Sequence, residues 1–273
     1  MMGGALRPAR IAPDLVLAEE RIAETGSTLG RPLHRMAVTS STNEDAKSAA
    51  RQGAPHGATW LAEEQTHGRG RRGRTWISAP GEALLFSTLV RLACSPARLP
   101  LIPLLAGLAV RDAVARAAPG ADPRVKWPND VLVGGRKLAG VLVEAVTSST
   151  RVDAVIVGIG INVHTREFPD AVAASATSVA LISVGTIPPD RSQLLADTLA
   201  SLDRDLEVVL ARGLGLVRAR LEAADFLRGK LVRSDEGVEG IASGIDEQGR
   251  LCVRTKGGAL ARWSSGEVTL AKV

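Results

Sequence analysis

The pattern of apolar and polar residues changes twice along the chain of 273 residues. Residues 10–24 repeat apolar positions at helical spacing, which predicts one short amphipathic helix within a 1–33 extension. Residues 34–227 alternate apolar runs typical of strands with longer helical patterns. Residues 228–273 contain only short apolar runs between the turn sequences DEG, DEQG and KGG, which predicts a small all-β domain.

Within the large central part, the same patterns predict individual elements. Strands are expected at 35–40, 58–65, 83–92, 124–133, 137–146 and 151–163. Helices are expected at 41–53, 100–118, 192–213 and 216–229. A glycine turn after residue 133 predicts that the fourth and fifth strands form a hairpin. The fold class is therefore α+β, a mixed sheet packed with helices, followed by a small β domain.

The start of the second predicted helix carries its own signal. Ser41 and Glu44 have the S-x-x-E spacing of a capping box, in which the serine hydroxyl accepts a hydrogen bond from the first turn. This spacing predicts that Ser41 is the N-cap of the helix.

The composition narrows the class of protein. Only 3% of residues are aromatic and none is tyrosine, which disfavours a nucleic-acid surface built on stacked rings. The net charge of +5, with 28 arginines against 6 lysines, suits an anionic ligand. Cys94 and Cys252 have no spacing that indicates a disulfide framework or a zinc site. The most apolar stretch, 99–110, is shorter than the about 20 residues of a membrane span, so we expect a cytoplasmic protein with no membrane partner.

The most unusual stretch is GRGRRGR at 68–74, where four arginines alternate with three glycines. It matches the G-x-G-x-x-G of dinucleotide-binding folds, but that motif needs a helix directly after it, and Pro80 and Gly81 exclude one. Arg/Gly-rich segments also bind polynucleotides, yet no aromatic ladder or recognition helix accompanies this one. Guanidinium groups and accessible glycine amides favour a clamp for a small phosphate-bearing molecule over a solvated basic loop.

A second cluster contains Lys126, Asn129, Asp130 and Lys137. A carboxylate and an amide between two lysines suit a metal-bound triphosphate, because oxygen ligands hold Mg²⁺ and the lysines neutralise phosphate oxygens. A lone Pro-Asn-Asp would indicate no more than a turn. Together with the arginine loop, the cluster predicts a nucleotide site.

Several motifs together resemble the biotin–protein ligases. They are STN at 41–43, GRGRRGR at 68–74, KWPND at 126–130, RKLAG at 136–140 and GIGIN at 158–162. The segment that ends in SGEV at 265–268 resembles the C-terminal SH3-like domain of that family. The resemblance implies the catalytic fold that biotin and lipoate ligases share with class II aminoacyl-tRNA synthetases. It implies that biotin and MgATP form biotinyl-5′-AMP, and that biotin then passes to one lysine of a biotin carboxyl carrier protein.

The resemblance also implies a role for each motif residue. The biotin site would contain Ser41, Thr42, Asn43, Gln65, Arg69, Gly70, Arg71, Lys137, Gly140, Gly158 and Gly160. The ATP site would contain Arg71, Arg72, Arg74, Lys126, Asn129, Asp130, Lys137 and Asn162. The catalytic residues would be Arg71, Lys137, Asp130 and Lys126, and the metal ligands Asn129 and Asp130.

Finer roles follow from the same resemblance. Ser41, Thr42 and Gln65 are expected to hydrogen-bond the ureido group of biotin, although Ser41 has the alternative role of a simple N-cap. Gly140, Gly158 and Gly160 are expected to let the ligand lie against strand backbone, whereas Gly70 is expected to close over the ligand together with Arg69 and Arg71. The arginine loop is expected to be mobile when empty and to order over the adenylate, which keeps water from the mixed anhydride.

Two features depart from the family pattern. His67 stands where small residues are commoner, and we expect it to change the detail of the loop rather than activity. About 33 residues precede the main body, whereas a winged helix-turn-helix domain needs on the order of 50 or more. We therefore expect a monofunctional ligase without DNA binding, as a monomer or a homodimer.

Two rival functions remain open at this point. Lipoate ligases and octanoyl transferases share the fold, but the former usually lack the GRGRRGR and KWPND pair. The latter work through a cysteine or lysine acyl intermediate, and both cysteines here lie outside the motifs. A nucleic-acid-binding protein would show steeply salt-dependent binding to polynucleotide and would leave the second cluster unexplained.

Overall fold

A computed structural model describes residues 11–91, 96–148, 151–183 and 190–271. Within these ranges, none of the helices combines the length and the apolar character that crossing a membrane requires. Cys94 lies outside the described residues, whereas Cys252 is a partly buried free thiol whose pKa is raised by burial.

Seven strands form the main sheet. They are β1 (Leu33–Thr39), β2 (Thr59–Gln65), β3 (Ala83–Val90), β4 (Pro123–Lys126), β5 (Asp130–Val133), β6 (Arg136–Ser148) and β7 (Arg151–Asn162). Their order in the sheet is β1-β2-β3-β7-β6-β5-β4. β1 and β2 are parallel and the other neighbours are antiparallel, so the predicted mixed sheet is confirmed.

Helices cover both faces of this sheet. They are α1 (Ala18–Thr25), α2 (Thr42–Arg51), α3 (Ile102–Ala117), α4 (Asp170–Ala173), α5 (Val179–Ile182), α6 (Arg191–Arg212) and α7 (Arg218–Ala224). Short 3-10 turns occur at Pro13–Leu15, Arg71–Gly73, Pro96–Leu101 and Leu214–Leu216. α2 packs on β2, β3 and β7, whereas α3 lies on the other face and is covered in turn by α6.

The position of α3 explains its composition. It lies between the sheet and α6, so Leu104, Leu105, Leu108 and Val110 on different sides of the helix are all fully buried. Burying each such side chain stabilises the fold by roughly 1.5–3 kcal/mol. The predicted buried helix at 100–118 therefore forms the centre of the core.

The predicted strand at 124–133 is wrong in one respect. It is two strands, β4 and β5, which pair with each other around a turn at Trp127-Pro128-Asn129, with Lys126 opposite Asp130. Proline has no amide hydrogen and a fixed φ, so it cannot continue a ladder. The Trp127 side chain is buried, and its Nε1 donates to the Gly249 carbonyl at 2.9 Å. The turn thus places two predicted site residues side by side.

Two helix predictions are also corrected. The helix expected at 216–229 ends at Ala224, because the backbone then turns extended and the Phe226 amide donates to the Val125 carbonyl at 2.9 Å. Ser41 does occupy the N-cap of α2, but its side chain makes no capping hydrogen bond. The Thr42 amide instead donates to Gln65 Oε1 at 2.8 Å, and Glu44 pairs with Lys47.

The C-terminal strands form a second sheet. They are β8 (Leu231–Ser234), β9 (Glu239–Ile245), β10 (Leu251–Thr255), β11 (Leu260–Trp263) and β12 (Val268–Leu270), all antiparallel in the order β11-β10-β9-β8-β12. Their inner residues, such as Val232 and Leu251, join the same apolar core as α3. The small β domain is therefore packed firmly against the body.

Candidate functional site

One cavity of about 270 Å³ lies on the face of the main sheet that carries α2. Its walls come from the start of α2, the arginine loop, the β4–β5 turn, the middle of β6 and β7, and the C-terminal domain. The predicted site residues that line it are Ser41, Thr42, Asn43, Gln65, Arg69, Gly70, Arg71, Arg72, Arg74, Lys126, Asn129, Asp130, Lys137, Gly140, Gly158 and Gly160. Segments distant in sequence thus meet in one place.

Asn162 is the exception among the predicted residues. It is buried at the end of β7, outside the lining of the cavity, and its Nδ2 donates to the Thr177 carbonyl at 3.0 Å. Its observed role is to tie the chain before α5 to the sheet.

A chain of polar side chains forms the floor at the α2 end. Gln65 Oε1 accepts from the Thr42 amide, and Thr42 Oγ1 lies 2.7 Å from Ser87 Oγ. Ser87 Oγ donates to Asn43 Oδ1 at 2.5 Å, and Asn43 Nδ2 donates to Glu144 Oε2 at 2.8 Å. This floor suits a small ligand group that has both hydrogen-bond donors and acceptors.

Side chains of the protein lie against the three predicted glycines of β6 and β7. A Cβ at Gly158 would be 2.0 Å from Asn43 Oδ1, and one at Gly160 would be 2.8 Å from the Trp76 ring. A Cβ at Gly140 would be 3.2 Å from both the Trp76 ring and Lys137 Nζ. The glycines therefore admit Asn43 and Trp76 to the sheet surface, where the sequence alone suggested a ligand.

Trp76 is a site residue that the sequence reasoning missed. It follows the arginine loop directly, and its amide donates to the Gly68 carbonyl at 3.0 Å, which closes the loop into a narrow hairpin. Lys137 Nζ lies 5.8 Å from the centre of its ring, within cation–π range. A lone tryptophan beside a glycine-rich loop was a signal that could have identified it.

Each arginine of the loop has a defined partner. Arg69 pairs with Glu44 and, at 3.0 Å, with Glu144. Arg71 Nη1 donates to Asn129 Oδ1 at 3.0 Å. The loop is therefore fastened to α2, to β6 and to the β4–β5 turn.

The other two arginines reach the C-terminal domain. Arg72, whose φ of 56° is left-handed, pairs with Asp235 at 2.5 Å, and Arg74 pairs with Glu267 at 2.6 Å. These carboxylates were not predicted, because nothing local in sequence relates them to the loop. The C-terminal domain thus helps to hold the loop over the cavity.

The far end of the cavity is strongly cationic. Lys137 Nζ lies 2.7 Å from Asp130 Oδ1, so one positive charge is already balanced by a carboxylate. Burial lowers the pKa of Lys126, and the nearby positive charges of Lys137 and Arg74 lower it further, against the opposing effect of Asp130 and Glu267. Burial and neighbouring Arg72 likewise lower the pKa of Arg71. Poorly solvated cations of this kind interact strongly with phosphate.

The described residues offer little for other kinds of catalysis. The lining of the cavity contains no histidine or cysteine. Across the described ranges, no group of three or more His, Cys, Asp and Glu side chains is arranged to hold a metal ion.

Comparison with known proteins agrees with this geometry. Residues 36–162 match the biotin/lipoate A/B protein ligase family and residues 230–270 match the biotin protein ligase C-terminal domain. The chain is 37% identical to the biotin–[acetyl-CoA-carboxylase] ligase of Mycobacterium tuberculosis, over 87% of this chain and 88% of that protein. It is 36% identical to the bifunctional ligase/repressor BirA of Escherichia coli, over 78% of this chain and 66% of that protein.

Solved structures give the same result. The biotin protein ligase from Aquifex aeolicus in complex with biotin and ATP superposes with a TM-score of 0.76 at 30% identity, covering 88% of this chain and 99% of that chain. A biotin protein ligase from Leishmania major in complex with biotinyl-5-AMP superposes with a TM-score of 0.57 at 27% identity, covering 85% and 98%. The fold, the cavity and the sequence matches agree, and the chain belongs to the biotin protein ligase family.

Proposed function

We propose that this chain activates biotin with ATP and transfers it to a specific lysine of a biotin carboxyl carrier protein or domain. One observation carries the proposal: a single cavity has a hydrogen-bonding floor at one end and a cluster of poorly solvated cations at the other. Biotin has the matching polarity, with a neutral ureido group at one end and a carboxylate at the other. Related proteins of known structure bind biotin, ATP and biotinyl-5-AMP.

In the first step, a carboxylate oxygen of biotin attacks the α-phosphorus of ATP. A bond forms between that oxygen and phosphorus, and the bond to the pyrophosphate oxygen breaks. The carboxylate is itself the nucleophile, so no catalytic serine, cysteine or histidine is needed. Two anions must approach each other, and Lys137, Arg71 and Lys126 neutralise the charge that keeps them apart.

In the second step, the amine of the acceptor lysine attacks the carbonyl carbon of the mixed anhydride, and AMP leaves. An amide bond forms and the amine loses a proton. Asp130 is our candidate to receive it, since its carboxylate lies in the cavity wall beside Lys137. Arg69, Gly70 and Arg71 cover the intermediate meanwhile and limit the access of water.

The contacts of the loop refine the assignments for pyrophosphate. The resemblance places Arg72 and Arg74 in the ATP site, which makes both candidates to bind pyrophosphate, but both guanidinium groups already pair with carboxylates of the C-terminal domain. For either arginine to bind pyrophosphate, its pair would have to open. We therefore assign the leaving group first to Lys126, which lines the cavity and is poorly solvated because it is partly buried.

Magnesium is proposed to enter with ATP. Asp130 provides one carboxylate, which fits an ion that takes one or two carboxylates and completes its shell with phosphates and water. Asn129 fits less well as a ligand, since Oδ1 accepts from Arg71 and Nδ2 donates to the Val141 carbonyl at 2.8 Å. When bound, the ion would neutralise charge on the phosphates, while Asn129 holds Arg71 in place.

The test is ATP–pyrophosphate exchange by the purified protein with biotin, lipoate, octanoate or no acid. We expect exchange that requires biotin and a divalent cation. Exchange supported by lipoate or octanoate instead would overturn the assignment of Thr42 and Gln65 to the ureido group. Exchange with none of the acids would overturn the ligase proposal itself.

A further inference from the structure

Glu144 is a partly buried residue of β6 that belongs to none of the motifs, and it lies outside the lining of the cavity. Its two oxygens serve different partners. Oε2 accepts from Asn43 Nδ2 at 2.8 Å, while Oε1 pairs with Lys47 at 3.1 Å and with Arg69 at 3.0 Å. One end of the carboxylate therefore holds the cavity floor and the other end holds cations.

The Glu144 carboxyl group is ionised at neutral pH. Burial acts to raise its pKa, but hydrogen bonds from Asn43 and Lys47 and the charges of Lys47 and Arg69 outweigh burial and hold the pKa below its ordinary value. An ionised carboxylate only accepts hydrogen bonds. The side-chain amide of Asn43 must therefore turn its Nδ2 toward Glu144 and its Oδ1 toward Ser87.

The direction of every following hydrogen bond is then fixed, because a hydroxyl has one proton. The Ser87 hydroxyl donates its one hydrogen bond to Asn43 Oδ1, at 2.5 Å. In the 2.7 Å contact between Thr42 and Ser87, Thr42 must accordingly be the donor. Thr42 then has no proton left to donate to Gln65 Oε1, which lies 3.1 Å from Thr42 Oγ1.

The result is a relay that runs from Thr42 through Ser87 and Asn43 to Glu144. The Thr42 hydroxyl proton is used in the hydrogen bond to Ser87. Toward the cavity, the lone pairs of Thr42 Oγ1 can therefore only accept a hydrogen bond from a ligand. We propose that Glu144 is a positioning residue that makes Thr42 an obligatory acceptor, so that the cavity selects a ligand with an N–H group at this point. The inference rests on the proposed function, in which that N–H belongs to the ureido group of biotin.

The decisive variant is Glu144→Gln, which keeps the shape of the side chain. Its new amide would turn the oxygen toward Lys47 and Arg69 and the NH₂ group toward Asn43, because two cations repel an NH₂ group. The Asn43 amide would then reverse and Ser87 would donate to Thr42 Oγ1. This bond occupies one lone pair of Thr42 Oγ1 and frees its proton for Gln65 Oε1, 3.1 Å away, or for the ligand, so Thr42 would no longer act only as an acceptor toward the cavity. We expect the Kd for biotin, measured by isothermal titration calorimetry, to rise by about tenfold or more.

A matched control separates this effect from the pairing of the loop. Glu44 pairs with the same two cations, Lys47 and Arg69, but the Asn43 side-chain amide donates to Glu144 rather than to Glu44, and Glu44 does not line the cavity. Glu44→Gln should change the Kd for biotin by less than about twofold. A loss of affinity equal to that of Glu144→Gln would show that the cation pairs matter and would overturn the relay.

A double-variant cycle tests whether Glu144 acts through the relay. Ser87→Ala removes the middle of the chain, so adding Glu144→Gln in that background should change the Kd by less than about twofold. Full additivity would overturn the proposal, and so would a Glu144→Gln protein that is folded by thermal melting and binds biotin as tightly as the natural chain. Absence of biotin binding by the natural chain would instead refute the proposed function.

Discussion

Arg191 carries the most completely buried charged side chain among the described residues. We expect its substitution to have a large effect on the stability of the protein. Its side chain, 1% exposed at the start of α6, pairs at 2.8 Å with Asp14 of the N-terminal segment and at 2.8 Å with Glu63 of β2. Glu63 is 3% exposed and also accepts from the Ala12 amide at 2.7 Å. This cluster fastens the N-terminal segment to the strand that carries Gln65.

We therefore expect Arg191→Met to destabilise the protein strongly. The substitution leaves the Glu63 carboxylate buried without its cation, which costs about 3–5 kcal/mol. For a chain of this size, 1 kcal/mol corresponds to about 2–4 °C, so the midpoint of thermal unfolding should fall by about 6–20 °C. Asp14→Asn should cost less, because Asp14 is 27% exposed and water replaces part of the lost pairing.

The assay is urea unfolding together with thermal melting of the natural chain and the variants. Glu63→Gln added to Arg191→Met removes the unpaired charge and keeps an oxygen for the Ala12 amide, so the double variant should be more stable than Arg191→Met alone. A loss below about 1 kcal/mol for Arg191→Met would show that the buried pair of Arg191 and Glu63 contributes little to stability. A double variant less stable than Arg191→Met would show that an unpaired Glu63 carboxylate is not the cause of the loss.

Three further predictions concern the cavity. Arg71→Gly removes a charge-assisted contact to the adenylate, so release of labelled biotinyl-AMP in a chase experiment should be about 10-fold to 150-fold faster; an unchanged rate would show that Arg71 is not a clamp. Because the pKa of Lys126 is lowered, ATP affinity should fall as pH rises through that pKa, below the range of a free lysine. Lys126→Arg stays charged and should move this loss to higher pH, whereas an identical pH profile would exclude Lys126 as the titrating group. Gly160→Ala would place a Cβ 2.8 Å from the Trp76 ring, so it should displace the indole and change tryptophan fluorescence, and an unaltered spectrum with natural biotin affinity would contradict the packing.

Where the motifs are contiguous, the residues that they single out line one cavity. GRGRRGR and KWPND carry their chemistry within a few residues, so the charges and the resemblance pointed to the arginine loop, Lys126 and Asp130 without any coordinates. The mixed sheet and the small β domain also followed from apolar patterns, because strand and helix periods differ clearly over such lengths.

What the sequence did not predict depends on contacts between distant segments. Glu144 matters because β6 places it beside Asn43, and no local pattern distinguishes it from any exposed strand glutamate. Asp235 and Glu267 meet the loop only because the C-terminal domain packs there. The capping box failed for the same reason, since a side chain from β2 reaches the first turn of α2.

In the proposed function, one cavity both activates biotin and delivers it to a lysine. The most direct measurement is mass spectrometry of a purified biotin carboxyl carrier domain after incubation with this protein, biotin, ATP and Mg²⁺. We expect one biotin on the acceptor lysine of each domain, none when that lysine is replaced by arginine, and none without ATP. A carrier domain that stays unmodified, although the same preparation catalyses biotin-dependent pyrophosphate exchange, would contradict the transfer step.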